Sequence, residues 1–194
     1  SFIIQTISFP ALQQVTYGDP PFALSAVASS GLPVVFASSN TTVALVTGNS
    51  LSFNSTGTAE ITAFQPGNGT YAPARYIRTI TINRADQMIT FQDPGAKTFG
   101  DADFILSAAS SSGLPVTFSS SDQSTAWISG NTVHIAGAGT TVITASQAGN
   151  NLYYPAIDVT YTLVVKKADQ KITFNSLPDL KYGDLDVLLN SSAS

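Results

Sequence analysis

Through residues 87–169 apolar and polar positions alternate in short stretches separated by turn signals, which is the period of a strand and not of a helix. In the last stretch Val159, Tyr161, Leu163 and Val165 fall on one face and Thr160, Thr162 and Lys166 on the other, predicting a strand with one buried and one wet side. Earlier stretches predict strands over 89–91, 104–108, 116–120, 125–129, 132–136 and 140–147. Gly130-Asn131 separates the fourth from the fifth, as Gly48-Asn49 does earlier in the chain, and glycine supplies the positive φ that a tight hairpin needs. No 11-residue window carries helical apolar spacing, and the only helix-like cues are single turns near Ser121 and Asp122. An all-β fold is expected.

The pattern repeats. Gln5-Thr-Ile-Ser-Phe9 returns as Gln87-Met-Ile-Thr-Phe91 and Gln170-Lys-Ile-Thr-Phe174, at offsets of 82 and 83. Tyr17-Gly-Asp19 returns as Phe99-Gly-Asp101 and Tyr182-Gly-Asp184, and Ser29-Ser-Gly-Leu-Pro-Val34 as Ser111-Ser-Gly-Leu-Pro-Val116. Residues 5–74 align with 87–156 without a gap, with 33 identities in 70, and one extra residue enters before Lys167-Ala-Asp-Gln170, the match of Arg84-Ala-Asp-Gln87. The expected organisation is a first repeat over 1–86, a second over 87–169, and the start of a truncated third over 170–194. Such a chain reads as a piece of a longer array. A 25-residue start is too short to bury a core alone, since even about 40 residues is marginal, so it is expected to dock on the second repeat or on a neighbouring molecule.

Seven antiparallel strands in about 82 residues with apolar inner faces suit two packed sheets better than a barrel. The expected fold is therefore tandem immunoglobulin-like β-sandwiches of about seven antiparallel strands each. The last strand of one repeat leads into the next through Arg84-Ala-Asp-Gln87 with no Gly/Ser-rich linker, a joint short enough to restrict bending.

The residues resemble a family. The Q-x-I-T-F start, the (Tyr/Phe)-Gly-Asp-x-x-Phe-x-Leu segment at 17–24 and 99–106, S-S-G-L-P-V-x-F, the G-N hairpin, I-T-A-x-Q-x-G-N-x-x-Y-x-P-A at 61–74 and 143–156, and the closing (Arg/Lys)-Ala-Asp-Gln together are similar to bacterial immunoglobulin-like tandem repeats of the MBG type, along the whole chain. That resemblance implies a large extracellular, multi-repeat stalk or adhesin-like protein.

Composition narrows the class further. Charged residues are 10% of the 194, while 24 Ser and 22 Thr make the polar surface one of hydroxyls, against about 25% charged residues in ordinary domains. With 43% hydrophobic residues the chain can bury a core and should not be disordered. A net charge of −4 and 8 basic residues without a run argue against nucleic acid and anionic membranes, both of which need clustered Lys and Arg. No apolar stretch reaches the roughly 18 residues of a span, so no membrane insertion is expected. Zero Cys removes disulfides and thiolate chemistry.

Candidate chemistry is sparse. His134, the single His, lies in a strand between Val133 and Ile135 and is expected to face outward. Trp127 stands where the first repeat has Leu45 and is expected to fill core or half-core space. Eleven of the 12 acids are Asp, and Asp101-Ala-Asp103 and Asp184-Leu-Asp186 share a spacing that could offer oxygen ligands to calcium. The alternative is that each Asp after the turn glycine bonds its own backbone. Tyr71, Tyr153 and Tyr154, beside Pro73 and Pro155, are candidates for stacking on a glycan, against the alternative of packing at the adjacent repeat. Neither a nucleophile triad nor a phosphate loop can be built from these residues, so no enzyme is expected.

The function expected is a non-enzymatic repeat segment of a secreted or cell-surface bacterial adhesin-like protein. It would act as a stalk or spacer with a further role in adhesion, its partners being the adjacent repeats of the same chain and a surface glycan or protein. The alternative is a carbohydrate-binding accessory module of a secreted hydrolase.

Overall fold

The computed structural model describes residues 1–193; Ser194, the last residue of the expected third segment, lies outside them. The described residues hold strands and turns without a helix, and the fold is the expected all-β one of tandem immunoglobulin-like sandwiches. Two compact units result. One gathers Ser1–Thr90 with Ala108–Val116 and Ser146–Val159, the other Phe91–Ser107, Thr117–Ala145 and the chain from Thr160 onward.

In the first unit Ile7–Ser8 (β1) opens the chain, followed by Val15–Thr16 (β2), Phe22–Ala23 (β3), Val27–Ala28 (β4) and Val35–Ser38 (β5). Ala44–Thr47 (β6), Ser50–Phe53 (β7), Gly57–Gln65 (β8) and Ala74–Asn83 (β9) follow. One sheet has the order β2-β9-β8-β5, a second β3-β7-β6, and β1 pairs with β4. Proline explains why the opening stretch serves two pairings. Pro10 follows β1 and has no N–H for a ladder, so the chain leaves β4 and re-enters as β2 beside β9. There Val15 lies opposite Ile82 and the strands run parallel, a departure from the expected antiparallel pairing.

The hairpin between β6 and β7 closes through Gly48-Asn49, with Thr47 opposite Ser50. Gly48 has φ 64° and Asn49 is not left-handed, the glycine-first pattern of a type II′ turn. Alternation buries one side of each strand, so Leu51, Ile61, Ile80 and Ile82 close the core together with Phe9 and Leu24. Burial of each such side chain is worth about 1.5–3 kcal/mol.

Strands Ile89–Phe91 (β10), Lys97–Thr98 (β11), Phe104–Ile105 (β12), Ala108–Ser110 (β13), Thr117–Ser120 (β14), Ala126–Ser129 (β15), Thr132–Ile135 (β16), Gly139–Ser146 (β17) and Val159–Lys166 (β18) repeat the scheme. The sheet orders are β11-β18-β17-β14 and β12-β16-β15, with β10 on β13. Two details differ from the expected strands. The stretch 104–108 is not one strand but the whole of β12, paired with β16, and the start of β13, paired with β10; the chain changes sheets between them, which alternation alone does not reveal. Strand β11 pairs in parallel with β18, as β2 does with β9. Leu106, Val133, Ile143, Leu163 and Val165 are among the buried side chains of the second unit, with Phe91, Ala126 and Ala145.

Residues 170–193 form a hairpin of Ile172–Phe174 (β19) and Ser191–Ala193 (β20), with Ile172 opposite Ala193. This is the register of Ile7 on Ala28 in β1 and β4, moved along by the repeat. The expected docking of this segment on the second repeat is corrected here: Ile172 is 74% and Leu185 91% exposed, with Phe174, Leu188 and Leu189 also exposed. The physical reason is that the segment carries counterparts of β1 to β4 without the strands that bury them in the complete repeats.

Candidate functional site

The motif residues shared by the repeats converge on a buried amide clamp. Gln5, 4% exposed, donates from Nε2 to Gln65 Oε1 at 2.8 Å and to the Ala72 carbonyl at 2.6 Å. Its Oε1 accepts from Ser30 Oγ, and Gln65 Oε1 also accepts from the Gly67 amide. Start, Ser-Gly-Leu-Pro turn and tyrosine loop of one repeat are thereby tied together through two side chains. A buried amide costs about 1–3 kcal/mol when unpaired, so the three places hold one another.

The clamp recurs with the same atoms. Gln87 Nε2 donates to Gln147 Oε1 at 2.6 Å and to the Tyr154 carbonyl at 2.7 Å, Ser112 Oγ donates to Gln87 Oε1, and Gly149 N to Gln147 Oε1. The loop after the second glutamine is equally determined. Asn68 Oδ1 accepts from Thr70 N and Tyr71 N, as Asn150 Oδ1 does from Leu152 N and Tyr153 N. Gly67 and Gly149 have φ of 80° and 72°, and a Cβ at either would stand 2.5 Å from the carbonyl oxygen of Tyr71 or Tyr153. Only glycine fits there.

Within the first compact unit this loop meets the stretch that leads into the second repeat. Ala85 N donates to the Leu152 carbonyl and Tyr154 N to the Ala85 carbonyl, both at 2.9 Å, a parallel bridge of Ala85 with Tyr153. The Tyr153 ring lies 5.6 Å from that of Tyr17 at 86°, and Thr56 Oγ1 donates to the Asn151 carbonyl at 2.6 Å. Ile3 bridges the Tyr71 loop in the same manner, with bonds to Thr70 and from Ala72. Of the three tyrosines named from the sequence, Tyr71 and Tyr153 are half-buried. Tyr154 is 45% exposed, with the Arg84 guanidinium 5.7 Å from its ring centre, within cation–π range.

The aspartates go to separate partners. Asp101 Oδ2 accepts from Thr98 N at 2.8 Å and Asp184 Oδ2 from Lys181 N at 2.6 Å, the contact that Asp19 makes with Thr16. Asp103 Oδ2 lies 2.6 Å from His134 Nδ1; Asp186 is exposed. Among the described residues no group of three or more His, Cys, Asp or Glu side chains is placed to hold a metal ion.

Trp127 departs from its expected place in or near the core. It is 44% exposed and pairs across the hairpin with His134, ring centres 3.8 Å apart at 15°. Its neighbour Ala126 takes the buried position, so alternation turns the indole outward. Asp122 opens the single turn expected near it, its carbonyl accepting from Thr125 N and Ala126 N. Its carboxylate accepts from Ser124 Oγ, Thr125 Oγ1 and Ser124 N, and these bonds, the Ser124 hydroxyl foremost, hold its pKa below the usual 3.8.

No family model matches the chain. No curated protein matches it either. Solved structures similar to it include mouse protocadherin-24 EC1-3, at 13% identity over 80% of this chain and 67% of that one with a TM-score of 0.36. Drosophila N-cadherin EC1-4 is similar at 12% over 97% and 59%, TM-score 0.35, and domains 1-6 of the surface layer protein SbsC at 17% over 87% and 29%, TM-score 0.36. The chain spans less than two thirds of the length of the last two.

Proposed function

We propose that this chain is a non-catalytic repeat segment of a secreted or surface-anchored bacterial protein of the MBG type, serving as a spacer in adhesion. The observation that supports it is the fate of the polar residues the repeats share. Gln5, Gln65, Ser30 and Asn68, with their counterparts Gln87, Gln147, Ser112 and Asn150, each bond a backbone group. The repeated chemistry builds a sandwich and its joint, as a spacer requires. No helix among the described residues is long and apolar enough to cross a membrane.

The test is binding of the labelled chain to a broad glycan array and to whole cells, with calcium and then with EDTA. A spacer shows no selective binding under either condition. Selective binding that Tyr154→Ala abolishes would overturn the spacer in favour of a carbohydrate-binding module.

A further inference from the structure

The second compact unit has an open concavity of about 960 Å³ lined by Phe99, Gly100, Ala136, Gly137, Ala138 and Lys167 to Gln170. Moved back by one repeat, these positions are Tyr17, Gly18, Asn54, Ser55, Thr56 and Arg84 to Gln87. That earlier set is the surface on which residues 151–154 are seated. Tyr17 receives the Tyr153 ring, Thr56 bonds Asn151, Ala85 bridges Tyr153 from both sides, Arg84 lies over Tyr154, and Gln87 holds the Tyr154 carbonyl.

We infer that the concavity at Phe99, Ala138 and Ala168 is a socket for the Gly-Asn-x-x-Tyr loop of a further immunoglobulin-like repeat joined through residues 167–170. The inference rests on the tandem-repeat part of the proposed function. It goes beyond that part in naming the surface that accepts the next repeat and the loop that fills it.

The chemistry of the seat is retained where it must be. The Ala85 bridge uses only backbone groups, which Ala168 supplies equally. Phe99 keeps an aromatic ring where Tyr17 stands, and offset or edge-on aromatic pairs are worth about 0.5–1.5 kcal/mol beyond burial. Lys167 replaces Arg84 with the same charge, and Gln170 repeats the clamp glutamine. One contact is lost: Ala138 has no hydroxyl to match Thr56. Residues 170–193 supply the neighbouring part of such a repeat, its first hairpin being already paired in the correct register.

The test is to complete the third repeat on the full chain by appending a copy of residues 112–169 after Ser194, which continues the repeat in phase. Hydrogen exchange then reads two places independently. Slowing at Ile172 and Phe174 reports that the third sandwich has folded. Slowing of the Ala168 amide by tenfold or more, reduced again by Phe99→Ala, is the result expected of the socket. A folded third sandwich with Ala168 unprotected overturns the socket and leaves the spacer standing, whereas selective glycan binding overturns the spacer and not the socket. Protection of Ala168 that rises with protein concentration would assign the surface to a second copy, and also overturns the inference. Should the appended repeat fail to fold, a synthetic peptide of residues 148–157 added to the unmodified chain is the second probe. Shifts in the NMR signals of Phe99 and Ala168 support the socket, and none at millimolar peptide overturns it.

Discussion

Tyr17 and Tyr153, 136 positions apart by their numbers in the chain, meet with ring planes at 86° and centres 5.6 Å apart. Each belongs to a motif that the repeat reproduces, and each motif has a local role, a turn for Tyr17 and a loop for Tyr153. A double-mutant cycle on Tyr17→Ala and Tyr153→Ala, read by chemical denaturation, should return a coupling of about 0.5–1.5 kcal/mol. Tyr154→Ala should lower stability by less than Tyr153→Ala, because Tyr154 is the more exposed of the two.

The amide clamp predicts a larger effect. Gln5→Ala removes both donors and the acceptor that serve Gln65, Ala72 and Ser30; Gln65 Oε1 keeps the Gly67 amide, while the part-buried Ala72 carbonyl and Ser30 hydroxyl lose their Gln5 partner, at about 1–3 kcal/mol for a group left unpaired. A loss of about 2–3 kcal/mol in urea denaturation is expected. Gln5→Ala with Gln65→Ala should cost clearly less than the sum of the two, since each single change already breaks the shared bond.

Backbone geometry separates the glycines. Gly67→Ala and Gly149→Ala force a Cβ against a carbonyl oxygen in the left-handed region, so each should lower stability by about 1–3 kcal/mol. Gly69→Ala, in the same loop with open space around it and no positive φ, should stay within about 0.5 kcal/mol. Comparable losses at Gly67 and Gly69 in thermal melts would refute this account.

Asp122 gives the stability a pH dependence of defined sign. Its folded pKa lies below 3.8, so the unfolded chain takes up the proton first as the pH falls. The contribution is complete above the unfolded value and is lost as the pH drops through the folded one. Asp122→Asn keeps an acceptor oxygen, as Asn40 does at the matching place, where its Oδ1 accepts from Thr42 N and Oγ1. Melting temperatures of the chain and of this variant should therefore converge at acid pH and differ most near neutrality.

Calcium offers a further check. Asp101 and Asp184 turn Oδ2 to a backbone amide three residues earlier, and Asp103 turns Oδ2 to His134. EDTA should leave the melting temperature unchanged. A fall of several degrees would restore Asp101, Asp103, Asp184 and Asp186 as ligands.

How far the fold could be read from sequence depends on the range of the interaction responsible. Strands β15, β16 and β18 were legible because alternation and a Gly-Asn turn are local. The division of 104–108 between two partners was not, since which sheet a residue joins depends on strands far along the chain. Trp127 was misplaced for a related reason. Its counterpart Leu45 suggested apolar company, but a strand has two faces, and Ala126 holds the inward one. The tyrosines and aspartates stand out as motifs, while their partners Ala85, Tyr17 and His134 are brought to them only by the fold.

The sequence by itself determined the repeat, the strand period, the hairpin glycines and the absence of chemistry that needs Cys or more than one His. These are properties of composition and neighbouring residues, expressed before any long-range contact forms. Only the tertiary structure decided that Gln5 meets Gln65, that Tyr153 meets Tyr17, and that Phe99 is left lining an open concavity. Each of those outcomes joins groups distant in the chain, and a directional bond or a ring contact exists only once folding has brought both partners to one place.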